Sequence, residues 1–169
     1  TIRIVRIMKL IKTLLTMLFI SLLSSPSWSE TMDDLVKRGG LYYKQFTDVP
    51  FTGKVTGIEQ GSIKDGKRDG AWIAYRENGQ LYLKSYWKNF KQEGDWIGYY
   101  ENGQFWFKTN YKNGKPEGAS VFYHKNGQLG SKGNWKNGEQ EGAWIAYREN
   151  GTVDKEKTGT FKNGKKISD

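Results

Sequence analysis

Residues 70–91, GAWIAYRENGQLYLKSYWKNFK, open a pattern that the chain then repeats. Gly70, Gly94, Gly118 and Gly142 step by 24 residues, as do Tyr75, Tyr99, Tyr123 and Tyr147. The pairs Asn78-Gly79, Asn102-Gly103, Asn126-Gly127 and Asn150-Gly151 keep the same step. So do Lys84, Lys108 and Lys132, and the series Trp87, Tyr111, Trp135. A fixed period between roughly 20 and 50 residues marks a repeat architecture, in which each unit is one supersecondary element stacked on its neighbours.

Within a unit, Ala71-Trp72-Ile73-Ala74-Tyr75-Arg76 is rich in residues that fit a pleated surface, and Leu81–Lys88 reads as the return strand. Between them Asn78-Gly79 predicts a type I′ turn, whose two central residues need φ > 0. A second turn leads to the next unit, written Asn113-Gly114 and Asn137-Gly138 in later copies; the first copy has Asn89-Phe90, so its turn must differ or carry strain. Hairpins at every ~12 residues make an antiparallel meander. The expected fold class is therefore all-β, an elongated single-layer ribbon of repeated hairpins over residues 51–169. The last copy has two extra residues within 154–160, read as a bulge or a longer hairpin. Residues 30–50 lack the repeat and read as a leader or capping segment, with a short helix or irregular stretch at Met32-Asp33-Asp34-Leu35-Val36 and a strand at Leu41-Tyr42-Tyr43.

Composition agrees with a thin sheet. Only 36% of the 169 residues are hydrophobic, which is low for a large central core, whereas aromatics reach 15% and place the apolar mass on flat rings. Residues 1–29 read as an export signal preceding the ribbon, helical in its apolar part. Lys9 and Lys12 are followed by an apolar run from Leu14 to Leu23 and by Ser27-Trp28-Ser29, a small-x-small cleavage site. Met8 is the natural initiator, and the apolar run is shorter than the ~20 residues of a spanning helix, although an uncleaved anchor is the rival reading. The expected location is periplasmic or extracellular. The formal charge of +9 includes four cations from this segment; residues 30–169 hold 23 Lys+Arg against 18 Asp+Glu, which weakens a nucleic-acid reading. The absence of cysteine excludes disulfides, thiolate chemistry and a lipid-modified cysteine anchor.

The pattern Gly-x-Trp-x-x-Tyr-x-x-Asn-Gly-x-Leu, followed by Tyr/Trp-Lys-Asn-Gly-Lys, resembles the MORN repeat variant of bacterial proteins. Members of that group are often described as YwqK-family antitoxins of toxin–antitoxin systems. The resemblance covers about residues 51–165 and implies a β-hairpin ribbon that binds proteins or membranes, with no catalytic residues to carry over. Ser120, at the position of Trp72, Trp96 and Trp144, departs from the pattern, and so does Phe90 at a turn glycine.

No catalytic set, metal site or cofactor site is expected. His124 is the single histidine and stands at a variable position otherwise held by Arg76, Tyr100 and Arg148. No nucleophile elbow or phosphate loop is present, and the carboxylates Glu93, Asp95, Glu139 and Glu141 near the inter-unit turns read as solvated charge. Two aromatic ladders remain. Trp72 and Tyr75 are three apart and point to opposite faces of a strand, so Trp72, Trp96 and Trp144 line one face and Tyr75, Tyr99, Tyr123 and Tyr147 the other. Both stabilise a thin ribbon through cross-strand pairing. A single layer leaves some rings open, notably around Phe105 and Trp106, and these ladders are the expected partner-binding surface.

The function expected from these residues is that of an exported, non-catalytic module that binds or scaffolds another protein in the cell envelope. Two alternatives stand beside it: an antitoxin or immunity-type inhibitor, as the resemblance implies, and peripheral attachment to anionic lipid through the ladder Lys84, Lys108 and Lys132. An envelope glycan is a further partner class; nucleic acid ranks last.

Overall fold

The computed structural model describes residues 29–169, so the segment expected to be a helical export signal lies outside the described residues except for Ser29. After the short β1 (Glu30–Thr31) and one 3-10 turn (Met32–Asp34) come β2 (Leu35–Arg38), β3 (Leu41–Lys44), β4 (Gly53–Thr56) and β5 (Glu59–Lys64). The repeats follow as β6 (Lys67–Tyr75), β7 (Leu81–Lys88), β8 (Lys91–Gln92), β9 (Gly94–Tyr99), β10 (Phe105–Lys112), β11 (Lys115–Tyr123), β12 (Leu129–Lys136), β13 (Glu139–Ala146), β14 (Gly159–Lys162) and β15 (Lys165–Ser168). From β4 to β15 each strand pairs with its sequence neighbour to form one long antiparallel sheet; β8 interrupts this path beside β7, and β1 adds to β4 in parallel. The fold is the all-β hairpin ribbon that the period implies.

The two kinds of turn differ from each other, and one differs from expectation. Asn113-Gly114 and Asn137-Gly138 have φ > 0 at both residues and join directly paired neighbours such as Lys112 and Lys115, as a two-residue type I′ turn requires. Asn89-Phe90 adopts the same geometry, with Phe90 at φ 65°. The Asn78-Gly79 turn and its equivalents are not type I′. Only the glycine has positive φ; Gly79 N donates to Arg76 O at 2.9 Å and Arg76 N to Gln80 O at 2.8 Å. Three residues therefore cross the gap as a type I turn closed by a left-handed glycine, and Asn78 serves through its side chain, whose Oδ1 accepts from Gln80 N at 3.0 Å.

The carboxylates near the inter-unit turns also have structural partners. Glu93, Glu117 and Glu141 each accept the backbone N–H of the asparagine in the next unit's turn, at 2.9, 2.6 and 3.1 Å. The turn glycine then donates to a carbonyl one residue before each glutamate, as Gly114 does to Gln92 O at 2.9 Å. Each unit thus fastens the turn of the one that follows.

One face of the sheet buries itself without a second layer. Trp72 and Trp144 lie across Gly61 and Gly133 of the preceding strand, positions where an added Cβ would collide with the indole. Their Nε1 atoms donate to Ser62 O and Asn134 O at 3.1 and 3.0 Å, and the two side chains are only 2% and 7% exposed. Phe107 and Phe122 cover Gly98 and Gly130 in the same way. Ring contacts Trp87–Trp96, Trp96–Tyr111 and Trp135–Trp144, with centroids 5.2–5.8 Å apart, extend this face along the ribbon. At Ser120 the row is interrupted, and its hydroxyl instead pairs with that of Thr109 at 2.7 Å. At the N-terminal end a second layer is present: Leu35 of β2 is buried with Phe51, Val55, Ile63 and Trp72, and Tyr42 of β3 packs against that cluster. The hairpin β2–β3 packs against this end of the sheet through Leu35 and Tyr42. The two extra residues of the last unit fall in a turn after the Tyr147–Val153 bridge, closed by Thr158 N donating to Asp154 O at 2.9 Å.

The open face of the ribbon

With the tryptophan face occupied by its own rings, the opposite face is where a ligand can approach. Strand pairing places Ile73 opposite Lys84, Lys84 opposite Ile97, and Ile97 opposite Lys108. It continues through Lys108–Val121, Val121–Lys132 and Lys132–Ile145. The three repeat lysines thus form a ladder in which each is separated from the next by one β-branched residue. The lysines are exposed and the aliphatic residues half-buried.

Two further rows flank this one. On one side lie Tyr75, Tyr99, Phe105 and Tyr123, the last three held edge to face: Tyr99–Phe105 centroids are 6.1 Å apart and Phe105–Tyr123 5.5 Å. These rings share a face with the lysines because each first strand of a unit runs without interruption, Tyr99 standing two residues after Ile97. The extra residues that shift the register, such as Trp106, sit on the return strands. Tyr147 occupies the equivalent position in the fourth unit. On the other side stand the exposed Ala71, Ala119 and Ala143, replaced by Asp95 in the second unit. Over β10–β14 a tall aromatic wall, a middle row of alternating charge and aliphatic surface, and a low side at Ala119 and Ala143 together make a trough; in the first unit the exposed Tyr86 stands opposite Ala71. A cleft of about 800 Å³ opens in it over β10–β14, lined among others by Lys108, Val121, Lys132, Ala143 and Ile145.

Asp95 modifies the charge of this trough. Its carboxylate meets Lys108 Nζ at 2.7 Å and accepts from Asn110 Nδ2 at 3.2 Å. The bond from Lys108 holds its carboxyl below the ordinary carboxylate range, against the opposing effect of partial burial. Lys84 and Lys132 have no carboxylate partner among the described residues.

The two aromatic ladders lie on opposite faces, as their spacing implies, and only one of them stays open. Tyr75, Tyr99, Phe105, Tyr123 and Tyr147 share the open face with Lys84, Lys108 and Lys132, whereas Trp72, Trp96 and Trp144 belong to the self-covered face. Trp72 and Trp144 are buried, each lying flat on a glycine and Trp72 also within the cluster of Leu35 and Phe51, so they hold strands together. Trp106, the bulge residue, contacts Tyr100 and Phe107 at 5.5 and 4.9 Å between centroids. Sequence reasoning overlooked the aliphatic partners Ile73, Ile97, Val121 and Ile145. Their signal was available, since they repeat at the same step as the lysines.

His124 also has a defined place. Its Nε2 donates to Tyr147 O at 2.8 Å, as Tyr100 Oη does to Tyr123 O at 2.7 Å and Arg76 Nη2 to Tyr99 O at 3.2 Å. The variable position therefore supplies a donor to the next unit, which is a structural use. Among the described residues no group of three or more His, Asp or Glu side chains is arranged to hold a metal ion.

Three consecutive stretches, residues 68–89, 92–113 and 116–137, match the family model described as MORN repeat variant. MORN repeats are generally protein- or membrane-binding modules and are typically non-catalytic. Among curated proteins no match is found. No relative supports the antitoxin designation.

Proposed function

We propose that the chain is a non-catalytic repeat module that binds another protein along its tyrosine/isoleucine/lysine face, and that it does so in the cell envelope after export. The observation that carries this reading is the asymmetry of the two faces. Indole and phenyl rings consume one face by lying on glycines, while the other keeps rings, aliphatic side chains and a lysine row in which, among the described residues, only Lys108 has a carboxylate partner, with a cleft over β10–β14. Aromatic residues and a mixed apolar and charged lining suit a protein partner more than a small polar metabolite. Export rests on the basic, apolar and small-residue segments of residues 1–29.

The test is a pulldown from host envelope extracts with residues 30–169 as bait. It is run beside a Tyr99→Ala/Val121→Asp variant of the open face and a Lys112→Ala variant at a turn, each checked by circular dichroism. One stoichiometric protein retained by the native and turn baits and lost by the face variant supports the reading. Retention by all three baits places the contact elsewhere. Capture of nothing by any bait sinks the protein-partner reading in favour of anionic vesicles or envelope glycan. A captured protein that arrests growth when expressed alone would make this chain its inhibitor.

A further inference from the structure

We propose that the open face reads one class of peptide: an extended polyproline-II segment with acidic residues six positions apart, its acids on Lys84 and Lys132 and an uncharged residue over the Lys108–Asp95 pair. This rests on the protein-binding reading above and specifies its ligand.

The argument starts from pitch. Lys84, Lys108 and Lys132 follow one another straight across the strand pairing, two strands apart at each step. At ~4.8 Å per strand the steps are ~9.6 Å, and Lys84 to Lys132 spans ~19 Å. A polyproline-II chain rises ~3.1 Å per residue with three residues per turn, so one stripe of side chains recurs every ~9.3 Å and six residues cover ~18.6 Å. A β-strand fails this match: its residue i+3 points to the opposite side, and i+2 or i+4 falls at ~6.7 or ~13 Å. An α-helix returns a side chain to the same stripe only at i+7, ~10.5 Å away, and is a cylinder ~10 Å wide. Sheet twist also turns the row by ~20–25° per strand. A polyproline-II chain has no internal hydrogen bonds and follows such a turn freely, whereas a helix would break its own.

Chemistry gives the same occupant. Between the lysines lie Ile97 and Val121, and beside them the rings of Tyr99 and Tyr123. Aromatic-lined grooves are the usual seat of proline-rich extended segments, because the peptide is already ordered before it binds. Lys84 and Lys132 are without carboxylate partners among the described residues, so an incoming acid meets an available cation. Lys108 is already held by Asp95 at 2.7 Å, and a third ligand acid there faces a like charge. The Lys108–Asp95 pair therefore selects against acids three apart, a repulsive device inside an otherwise basic row.

The experiment is fluorescence anisotropy with the folded chain and labelled proline-rich peptides of equal length and charge, carrying two glutamates either six or five positions apart. The six-spaced peptide should bind about tenfold more tightly, the worth of one charge-assisted hydrogen bond. Lys84→Ala and Lys132→Ala should each erase that preference, while a third, midpoint glutamate should weaken binding to the native chain and cease to do so in Asp95→Asn. Equal affinity for both spacings overturns the inference, since net charge alone would then account for binding. So does binding of polygalacturonate with no binding of any peptide, which would make the ligand an anionic glycan. If no peptide binds but the pulldown partner is still displaced by Tyr99→Ala/Val121→Asp, the spacing inference falls and the protein-binding reading stands. If neither binds, both fall.

Discussion

Arg76, Tyr100 and His124 share neither size nor charge, yet each donates to the carbonyl of a tyrosine in the next unit. What the position requires is a donor of sufficient reach. His124→Leu should therefore lower the unfolding free energy by about 1 kcal/mol, and His124→Tyr should preserve it, as urea denaturation would read. Equal losses from both variants would mean that packing, not the bond, matters there. Phe90 is the opposite case, a residue that fits its position poorly. At φ 65° in a type I′ turn it has a conformation that costs an L-residue roughly 1–2 kcal/mol, partly offset by the Lys67 ammonium 4.6 Å from its ring centre. Phe90→Gly should stabilise the fold by about 0.5–1 kcal/mol, visible as a higher urea midpoint with unchanged slope. A lower midpoint would show that the exposed ring contributes more than the strain removes.

At the scale of the element, the hairpins and their two faces were legible, but which face closes was not. Asn-Gly pairs and a 24-residue step are enough to place strands and turns, because both arise from local backbone preference. Which face closes depends on a non-local pairing: Gly61 and Gly133 stand eleven residues before Trp72 and Trp144, and only the strand register shows that ring and glycine meet. Without that register the tryptophans look as available as the tyrosines. Gly133→Ala should cost about 1–3 kcal/mol, since the new methyl group enters the space of the Trp144 indole, and intrinsic tryptophan emission should shift with it. A neutral substitution would mean that the ring does not rest where the sheet places it. Turn ends offer a milder test. Lys112 faces Lys115 across one hairpin, whereas Lys136 faces Glu139 in the next. Lys115→Glu should replace a like pair by an opposite one and raise stability by about 0.2–1 kcal/mol, an effect that fades with added salt.

For the whole molecule, units that touch mainly their neighbours make the ribbon nearly one-dimensional, so a complete unit is removable in a way that half a globular core is not. Deleting residues 94–117 joins Glu93 to Gly118, restoring the local sequence of the Glu117-Gly118 junction. In the shortened chain β7 takes β11 as its neighbour, with Lys84 opposite Val121 in place of Ile97. The product should fold, with a smaller denaturant slope in proportion to the lost surface and without the Trp87–Trp96 and Trp96–Tyr111 contacts. Its consequence for recognition is more specific. Lys84 and Lys132 then lie two strands apart, ~10 Å instead of ~19 Å, and Asp95 is gone. The preferred peptide should change from acids six apart to acids three apart, a change of ligand made without altering any side chain that remains. If the deleted chain folds and still prefers the six-spaced peptide, the lysine row is not the ruler that sets the spacing. If the preference follows the deletion, the repeat itself measures the ligand, and the number of units between unpaired lysines is the variable on which specificity acts.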